Sequence, residues 1–255
     1  MSRTQELFKY KPNNVLNIYC TAGFPSLDST VPVMKLLQQN GADMIELGMP
    51  YSDPLADGPV IQESSTRAIV NGMTLKKLFE QLQDFRKEVT VPVLLMGYMN
   101  PVLQYGFEKF CADAAAVGID GLIIPDLPMY EFETEFGPII KKYGLDFTFM
   151  VTPETSVERL HQIDAQTSGF LYAVSSSSTT GNNAALHLQQ NYLQQLQEAG
   201  LKNPFMIGFG IKDKASFTAA TQYANGAIIG TAFIKSFQDG KPIEETIPAF
   251  LQSLK

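Results

Sequence analysis

The stretch Asp43-Met44-Ile45-Glu46-Leu47-Gly48 shows in six residues the unit from which the fold is predicted. It has the length of a strand and is apolar apart from Asp43 and Glu46. A long loop with three prolines and two acids follows it over residues 49–59. Side chains alternate between the two faces of a strand, so Glu46 lies on the face opposite Ile45 and Leu47. If those two apolar residues face a layer of helices, Glu46 points into the interior of the fold.

Similar apolar runs recur along the chain with helical segments between them. Together the eight predicted strands cover residues 16–20, 44–47, 91–96, 119–124, 147–151, 170–174, 205–207 and 227–229. Several are continuously apolar, which is typical of parallel strands covered on both faces. The segments between them place apolar residues three and four apart, the spacing of amphipathic helices. Glycines stand where helices are expected to stop, at Gly41, Gly118, Gly144, Gly169 and Gly200.

Eight strand-then-helix units predict an α/β protein with the (β/α)₈ TIM-barrel fold, in a single domain over residues 1–255. An open doubly wound sheet is the competing architecture. A dinucleotide-binding sheet of that kind needs a GxGxxG motif after its first strand. Here Gly208-Phe209-Gly210 comes late, and Asp213 stands where the third glycine belongs. The barrel is therefore the favoured prediction.

Composition limits the classes of function. The chain has 19 Lys and Arg against 26 Asp and Glu, a formal charge of −7, which argues against binding to nucleic acid or anionic membranes. No apolar stretch approaches the roughly 18 residues of a membrane helix, and no signal region opens the chain, so a cytoplasmic location is expected. Cys20 and Cys111 lack CxxC partners, and His161 and His187 fall in helical segments. No disulfide framework or metal site is predicted.

Two carboxylates near the second predicted strand are the candidate acid and base. A barrel collects its functional groups where strands end. Partial burial there raises the pKa of Glu46 and lets it give and take a proton near neutrality. A glutamate satisfied by a core salt bridge or hydrogen bond is an equal alternative. Asp57 either caps the helix that begins near Pro59 or reaches over the mouth of the barrel toward a substrate N–H.

Later segments suggest where a ligand binds. The glycine-bearing turns 208–210 and 226–231 follow the last two predicted strands, where barrels often hold phosphate through backbone N–H groups. Tight turns alone are the alternative explanation. The serine-rich segment 175–181 follows the sixth predicted strand and is a candidate lid over a ligand. Tyr98, Tyr172 and Phe209 either form an aromatic slot for a flat substrate or pack in the core.

The loop motif Ile45-Glu46-Leu47-Gly48-Met49-Pro50-Tyr51-Ser52-Asp53-Pro54-Leu55-Ala56-Asp57-Gly58-Pro59 closely resembles the tryptophan synthase alpha subunit family. It is a long segment of low degeneracy. Four further segments carry the resemblance along essentially the whole chain: Thr21-Ala22-Gly23-Phe24-Pro25, Pro125-Asp126-Leu127-Pro128, Gly208-Phe209-Gly210-Ile211 and residues 226–231.

The resemblance implies a lyase. The expected reaction is retro-aldol cleavage of indole-3-glycerol phosphate to indole and glyceraldehyde 3-phosphate, with no cofactor in this chain. The family's catalytic glutamate and aspartate correspond to Glu46 and Asp57. The substrate-binding residues expected from the motifs and their positions are Tyr98, Tyr172, Thr180, Gly181, Phe209, Gly210, Gly230 and Thr231, with the phosphate on Gly181, Gly210, Gly230 and Thr231.

The resemblance also implies a partner, the pyridoxal-phosphate-dependent beta subunit, in an α₂β₂ heterotetramer that channels indole. Two other functions stay open at this point. Another phosphate-binding barrel, such as an indole-glycerol-phosphate synthase or a sugar-phosphate epimerase, needs catalytic lysines at strand ends or metal-binding histidines, and neither is found. A catalytically silent subunit that only activates a beta-type partner has no need of both Glu46 and Asp57.

Overall fold

The computed structural model describes residues 1–174, 183–208 and 210–255, with side chains in all of them except 183–190. The strands in these residues are β1 (Val15–Thr21), β2 (Met44–Gly48), β3 (Val93–Met96), β4 (Gly121–Ile123), β5 (Asp146–Phe147), β6 (Met150–Val151), β7 (Leu171–Val174), β8 (Phe205–Gly208) and β9 (Gly226–Ile229). Each of the predicted strands is present at its predicted place, within one or two residues at most ends.

The helices alternate with these strands. They are α1 (Arg3–Tyr10), α2 (Thr30–Gln39), α3 (Pro59–Val70), α4 (Leu75–Gln81), α5 (Met99–Tyr105), α6 (Phe107–Val117), α7 (Met129–Glu131), α8 (Gly137–Lys142), α9 (Val157–Gln166), α10 (Asn183–Glu198), α11 (Lys214–Thr221), α12 (Thr231–Lys235) and α13 (Ile243–Ser253). A π-helical turn over Phe132–Phe136 joins α7 to α8, and 3₁₀ turns cover Leu27–Ser29 and Phe85–Lys87.

The sheet closes on itself through its fifth predicted strand. Its order is β5-β4-β3-β2-β1-β9-β8-β7-β6, with every pair parallel. The two end strands, β5 and β6, are separated along the chain by only Thr148 and Phe149. The Thr148 N–H donates to Leu122 O at 3.0 Å, and Phe149 O accepts from the Tyr172 N–H at 2.9 Å. The fifth strand is thus split in two, and the predicted TIM barrel is confirmed.

Apolar side chains form two layers that follow the alternation of the strands. Ile18, Ile45 and Leu47 point outward and pack with the apolar faces of the helices. A smaller inner cluster fills the barrel and includes Val15, Met44, Leu94, Ile123, Phe170, Tyr172, Met206 and Ile228. Phe8 of α1 packs on Phe170 at 6.2 Å between ring centroids, so α1 covers the amino end of the barrel. The carboxyl end of the strands is left for a ligand.

The helix ends predicted from glycines are confirmed. The five predicted helix stops all have positive φ, and Gly118 ends α6 in the left-handed conformation that glycine adopts without a Cβ clash. Cys20 and Cys111 are both free and buried. His161 is exposed on α9, whereas the side chain of His187 lies outside the described residues. Within the described residues, no helix is both long and apolar enough to span a membrane.

Candidate active site

A cavity of about 620 Å³ opens at the carboxyl ends of the strands. Residues of β1, β3, β7 and β9 and of the loops after β2, β8 and β9 border it. Among the described residues, its lining includes Tyr19, Ala56, Asp57, Gly58, Ile61, Met96, Tyr172, Gly210, Ile211, Lys212, Ile228, Gly230, Thr231, Ala232 and Lys235. An apolar pocket with a few polar groups at this end of a TIM barrel is the expected place for catalysis.

Two phenol rings stand in the mouth because two glycines make room for them. Tyr19 of β1 and Tyr172 of β7 are both buried and both border the cavity. A Cβ on Gly48 would lie 2.1 Å from the Tyr19 hydroxyl oxygen, and one on Gly208 would lie 2.3 Å from that of Tyr172. Side chains at these two positions would displace the rings. The glycines that end β2 and β8 therefore shape the apolar wall of the site.

Glu46 faces the barrel interior, as the alternation along β2 predicts. Its neighbours Ile45 and Leu47 lie in the outer layer, and Met44 lies in the inner cluster. Glu46 has no exposed surface. Its Oε1 accepts a hydrogen bond from Asn17 Nδ2 at 2.6 Å, while Oε2 is buried without a partner among the described residues. Glu46 is thus not neutralised by a core salt bridge among these residues.

Burial sets the proton affinity of Glu46. Loss of solvent raises the pKa of this carboxyl to about 8, and the hydrogen bond from Asn17 opposes that rise. The open cavity is bordered by Tyr172, whose own pKa is raised well above its usual value by burial first and then by the charge of Glu46. A carboxyl that titrates near neutrality can act as both general acid and general base. Glu46 itself is not among the described residues that line the cavity.

Asp57 lies in the loop after β2 and borders the cavity with a partly exposed side chain. Helix α3 begins after Gly58, and no side chain caps it, so of the two interpretations of Asp57 the helix cap is wrong. The Asp57 carbonyl oxygen instead accepts from Gln62 Nε2 at 2.8 Å, which fixes the loop backbone. Burial raises the pKa of Asp57, and the Tyr98 hydroxyl opposes the rise.

Tyr98 supports that loop rather than lining the cavity. Its hydroxyl accepts from the Ala56 N–H at 3.1 Å, and its ring lies 5.6 Å from the ring of Tyr51. Tyr98 is buried, and it is absent from the cavity wall formed by the described residues. Of the aromatic residues singled out in the sequence, Tyr172 borders the cavity. Phe209 lies outside the described residues.

The part of the cavity wall that follows β8 and β9 carries glycines and positively charged side chains. Gly210, which has φ +75°, Gly230 and Thr231 all border it, and Gly230 is the residue that precedes α12. Lys212 and Lys235 border it too, and neither forms a salt bridge with another described residue. Backbone N–H groups and ammonium groups at one end of a pocket suit a phosphate group.

Several site residues were not foreseen from the sequence. Lys212 lies two residues after Gly210, and Lys235 lies one helical turn after Thr231, so their spacing from the glycines was the available signal. Asn17 and Tyr19 carried no local signal, because only the pairing of β1 with β2 brings them beside Glu46. Thr180 and Gly181 lie outside the described residues. Within the described residues, no cluster of three or more potential metal-ligating His, Cys, Asp or Glu side chains is found.

Comparison with known proteins gives one consistent family. The family model described as "Tryptophan synthase alpha chain" matches residues 6–252. The tryptophan synthase alpha chain of Bacteroides thetaiotaomicron is 46% identical over 256 residues and covers 100% of both chains. That of Flavobacterium johnsoniae is 51% identical over 237 residues, with 92% of this chain and 93% of the relative covered. The solved tryptophan synthase subunit alpha of Legionella pneumophila superposes with a TM-score of 0.86 at 36% identity, over 100% of this chain and 97% of that one.

Proposed function

Because the chain belongs to the tryptophan synthase alpha chain family and so cleaves indole-3-glycerol phosphate in tryptophan biosynthesis, we propose that Glu46 and Asp57 carry this reaction. The observation that supports it most is the placement of Glu46, a fully buried carboxyl that faces the barrel interior and has a pKa of about 8. A lyase that moves protons at neutral pH needs such a group.

The chemistry requires two proton transfers. The bond between indole C3 and the glycerol phosphate side chain breaks with its electrons going to C3, so C3 must first be protonated. The hydroxyl on the adjacent side-chain carbon must also lose its proton, so that it becomes the aldehyde of glyceraldehyde 3-phosphate. Glu46 is protonated below its pKa of about 8 and gives its proton to C3. The resulting carboxylate takes the hydroxyl proton, and Glu46 is regenerated.

Asp57 supplies the complementary charge. Protonation of C3 places positive charge on the indole ring and makes its N–H more acidic. An ionised Asp57 at the edge of the cavity stabilises that charge electrostatically. Its partial exposure and the nearby Tyr98 hydroxyl favour the ionised form, whereas complete burial favours the protonated form of Glu46. Two carboxyls in two environments thus take two roles.

The rest of the cavity orients the substrate. Tyr19, Tyr172 and Met96 offer flat and apolar surface for the indole ring. Gly210, Gly230 and Thr231 offer backbone N–H groups for the phosphate, and Lys212 and Lys235 add positive charge at that end. Binding energy from the phosphate then holds the reacting end beside Glu46. Thr180, Gly181 and Phe209 complete the proposed substrate contacts from the sequence alone.

The proposed partner is the tryptophan synthase beta subunit, in an α₂β₂ heterotetramer to which this chain delivers indole. Family membership supports this proposal. So does the exposure of Leu55, an apolar side chain in the loop after β2 that is 92% exposed beside the mouth of the cavity. A cytoplasmic location belongs to the same proposal, because the substrate carries a phosphate charge that does not cross a bilayer unaided.

The test is indole formation from indole-3-glycerol phosphate, with and without a beta subunit. We expect release of indole by the wild-type chain, faster with the beta subunit. Glu46→Gln and Asp57→Asn should retain the fold and lose indole formation, whereas the surface control Glu88→Gln should keep it. Near wild-type turnover by Glu46→Gln would remove Glu46 from the proposed mechanism.

A further inference from the structure

Asn17 is the polar neighbour of Glu46 that the reaction scheme leaves unused. The register of β1 and β2 pairs Asn17 with Met44, so Glu46 lies two residues farther along the neighbouring strand and on the same face. Neither Asn17 nor Glu46 has exposed surface. Asn17 Nδ2 donates to Glu46 Oε1 at 2.6 Å. Asn17 Oδ1 and Glu46 Oε2 are both buried without a partner among the described residues.

We propose that Asn17 is the positioning residue for Glu46, whose carboxyl it orients and whose two protonation states its amide satisfies in turn, given the role proposed above for Glu46. The amide group has both a donor and an acceptor. Its Nδ2–H donates to the carboxylate, as seen in the structure, and its Oδ1 accepts from the protonated carboxyl. Asn17 Oδ1 and Glu46 Oε2 have no other partner among the described residues, so both are available for that second hydrogen bond.

The choice of an amide has a physical reason. An unpaired buried carboxylate costs several kcal/mol, so a buried proton shuttle needs a partner in each state. A lysine or arginine partner would hold Glu46 in its ionised form, and a carboxylate partner would hold it in its protonated form. An asparagine can pair with either form, and its N–H donor favours the carboxylate without a full opposing charge. It therefore suits a group that must lose and regain a proton in every turnover.

The other groups that act on Glu46 do not replace Asn17. Cys20 on β1 and Tyr172 on β7 interact with its charge. Burial raises the pKa of Cys20 to about 12 and that of Tyr172 well above its usual value, so both are neutral where Glu46 titrates. Asp57 acts on Tyr19 and Tyr172 from the loop above and adds only negative charge. Within the described residues, the hydrogen bond from Asn17 is the interaction that favours the Glu46 carboxylate.

The test is the pH profile of kcat/KM for indole formation. In the wild type, kcat/KM should fall above pH 8, where free-enzyme Glu46 loses its proton. Asn17→Leu keeps the size of the side chain and removes the amide. We expect kcat/KM at pH 7 to fall about 10- to 100-fold, as for loss of a hydrogen bond to a charged group. The alkaline limb, which is the fall of kcat/KM above pH 8, should move to higher pH because the carboxylate loses its hydrogen bond. Asn17→Asp should move the limb farther, because a neighbouring negative charge opposes ionisation of Glu46.

A matched control separates positioning from folding. Asn225 lies just before β9 at the amino end of the barrel, where its Oδ1 accepts from the Phe205 N–H at 2.9 Å and its Nδ2 donates to Pro12 O at 2.8 Å. Asn225→Leu should lower the thermal unfolding temperature and leave the alkaline limb unchanged. If Asn17→Leu fails to fold, the limb of Asn17→Asp gives the same answer.

Two further outcomes are distinct. Both Asn17→Leu and Asn17→Asp could lose activity at every pH while kcat/KM still falls above the same pH as in the wild type. That result would overturn the positioning role of Asn17 but not the proposed catalytic role of Glu46. Full activity in Glu46→Gln would overturn the proposed function itself, whatever the Asn17 variants do. Upward movement of the limb in the order wild type, Asn17→Leu, Asn17→Asp supports the inference.

Discussion

Two buried carboxylates at opposite ends of this barrel, Asp120 and Glu46, differ in how they are paired. At the amino end, Asp120 lies just before β4 and is buried. Its Oδ1 accepts from Arg3 at 2.8 Å, and its Oδ2 accepts from the guanidinium of Arg86 and from the Val93 N–H, the latter at 2.8 Å. At the carboxyl end, Glu46 has the Asn17 amide and an unpaired oxygen. Asp120 is paired with two guanidinium groups, whereas Glu46 has no ionic partner among the described residues and has a pKa near neutrality.

The difference shows how one fold divides stability from chemistry. A fully paired buried carboxylate fixes the elements around it, here α1, the turn at Arg86 and the start of β3. A carboxyl with incomplete partners costs stability but can exchange a proton with a ligand. Four variants or measurements test whether the amino end serves stability and the carboxyl end serves catalysis. Each has one outcome that supports this difference between the ends and one that contradicts it.

Glu46→Gln should have the largest effect. The amide keeps the size of the side chain and cannot transfer a proton, so kcat should fall about 10³-fold, within the usual range for general acid–base catalysis. The free energy of unfolding should not fall, since a neutral amide replaces an incompletely paired carboxyl. Steady-state indole formation and urea unfolding at pH 7 measure the two quantities. A variant that is active but unstable would give Glu46 the structural role of Asp120 and end the contrast.

The pH dependence of stability should report the same carboxyl. The pKa of Glu46 is about 8 in the folded protein against an ordinary value of 4.5. Below about pH 4.5 both states are protonated, and the stabilising contribution of Glu46 is fully present. It is lost as pH rises through 8, because folding then requires either a bound proton or a buried charge. Relative to Glu46→Gln, the wild type should lose on the order of 4 kcal/mol between pH 4.5 and 8.

Urea unfolding of both proteins at several pH values between 5 and 8.5 measures that difference. The comparison with Glu46→Gln is needed because burial also raises the pKa of Asp57 and Asp146, which act in the same direction in both proteins. Parallel stability curves for wild type and variant would show that Glu46 does not titrate in this range, and would contradict its role as a neutral-pH acid.

Asp120→Asn should show the opposite behaviour. Loss of its charge leaves the half-buried Arg86 guanidinium without an ionic partner, and removing one member of a buried ion pair costs about 3 kcal/mol or more. Indole formation per folded molecule should be close to wild type, because Asp120 lies at the end of the barrel away from the cavity. Equilibrium unfolding and kcat at 15 °C check the two parts. A kcat reduced as strongly as the stability would mean that the two ends are coupled.

The fold could be predicted from the sequence because the patterns that indicate its strands and helices are local. Period-two alternation in β2 places Glu46 inside without knowledge of any other strand, since Ile45 and Leu47 must cover the helix side. The strand-length apolar runs and the glycines between them are equally local. The split of the fifth strand was not predictable. It follows from pairing, because β5 pairs with β4 alone and β6 with β7 alone.

The site was only partly predictable, because it depends on contacts between distant segments. Asn17 reaches Glu46 through the register of two strands, and no pattern around residue 17 marks it. Tyr19 fits the mouth because Gly48, on another strand, has no side chain. The sequence left open whether Asp57 caps α3 or lies at the opening of the barrel. The structure decides this because Gly58, not Asp57, is the residue that precedes α3. Gly210 and Gly230 were singled out from the sequence and line the cavity, whereas Lys212 and Lys235 beside them were not foreseen.

The smallest expected effect compares two glycines with the same backbone conformation at opposite ends. Gly210 has φ +75° and borders the cavity after β8, and Gly144 has φ +70° just before β5. A Cβ at either position meets no atom within 4 Å, so alanine should cost each protein a similar amount, about 1 kcal/mol, through backbone strain. Only Gly210→Ala should raise KM, by about tenfold with kcat nearly unchanged, because loss of phosphate contacts weakens ground and transition states alike. Equal KM values in the two variants would show that the phosphate does not bind at Gly210, and the division between the ends would then rest on Glu46 and Asp120 alone.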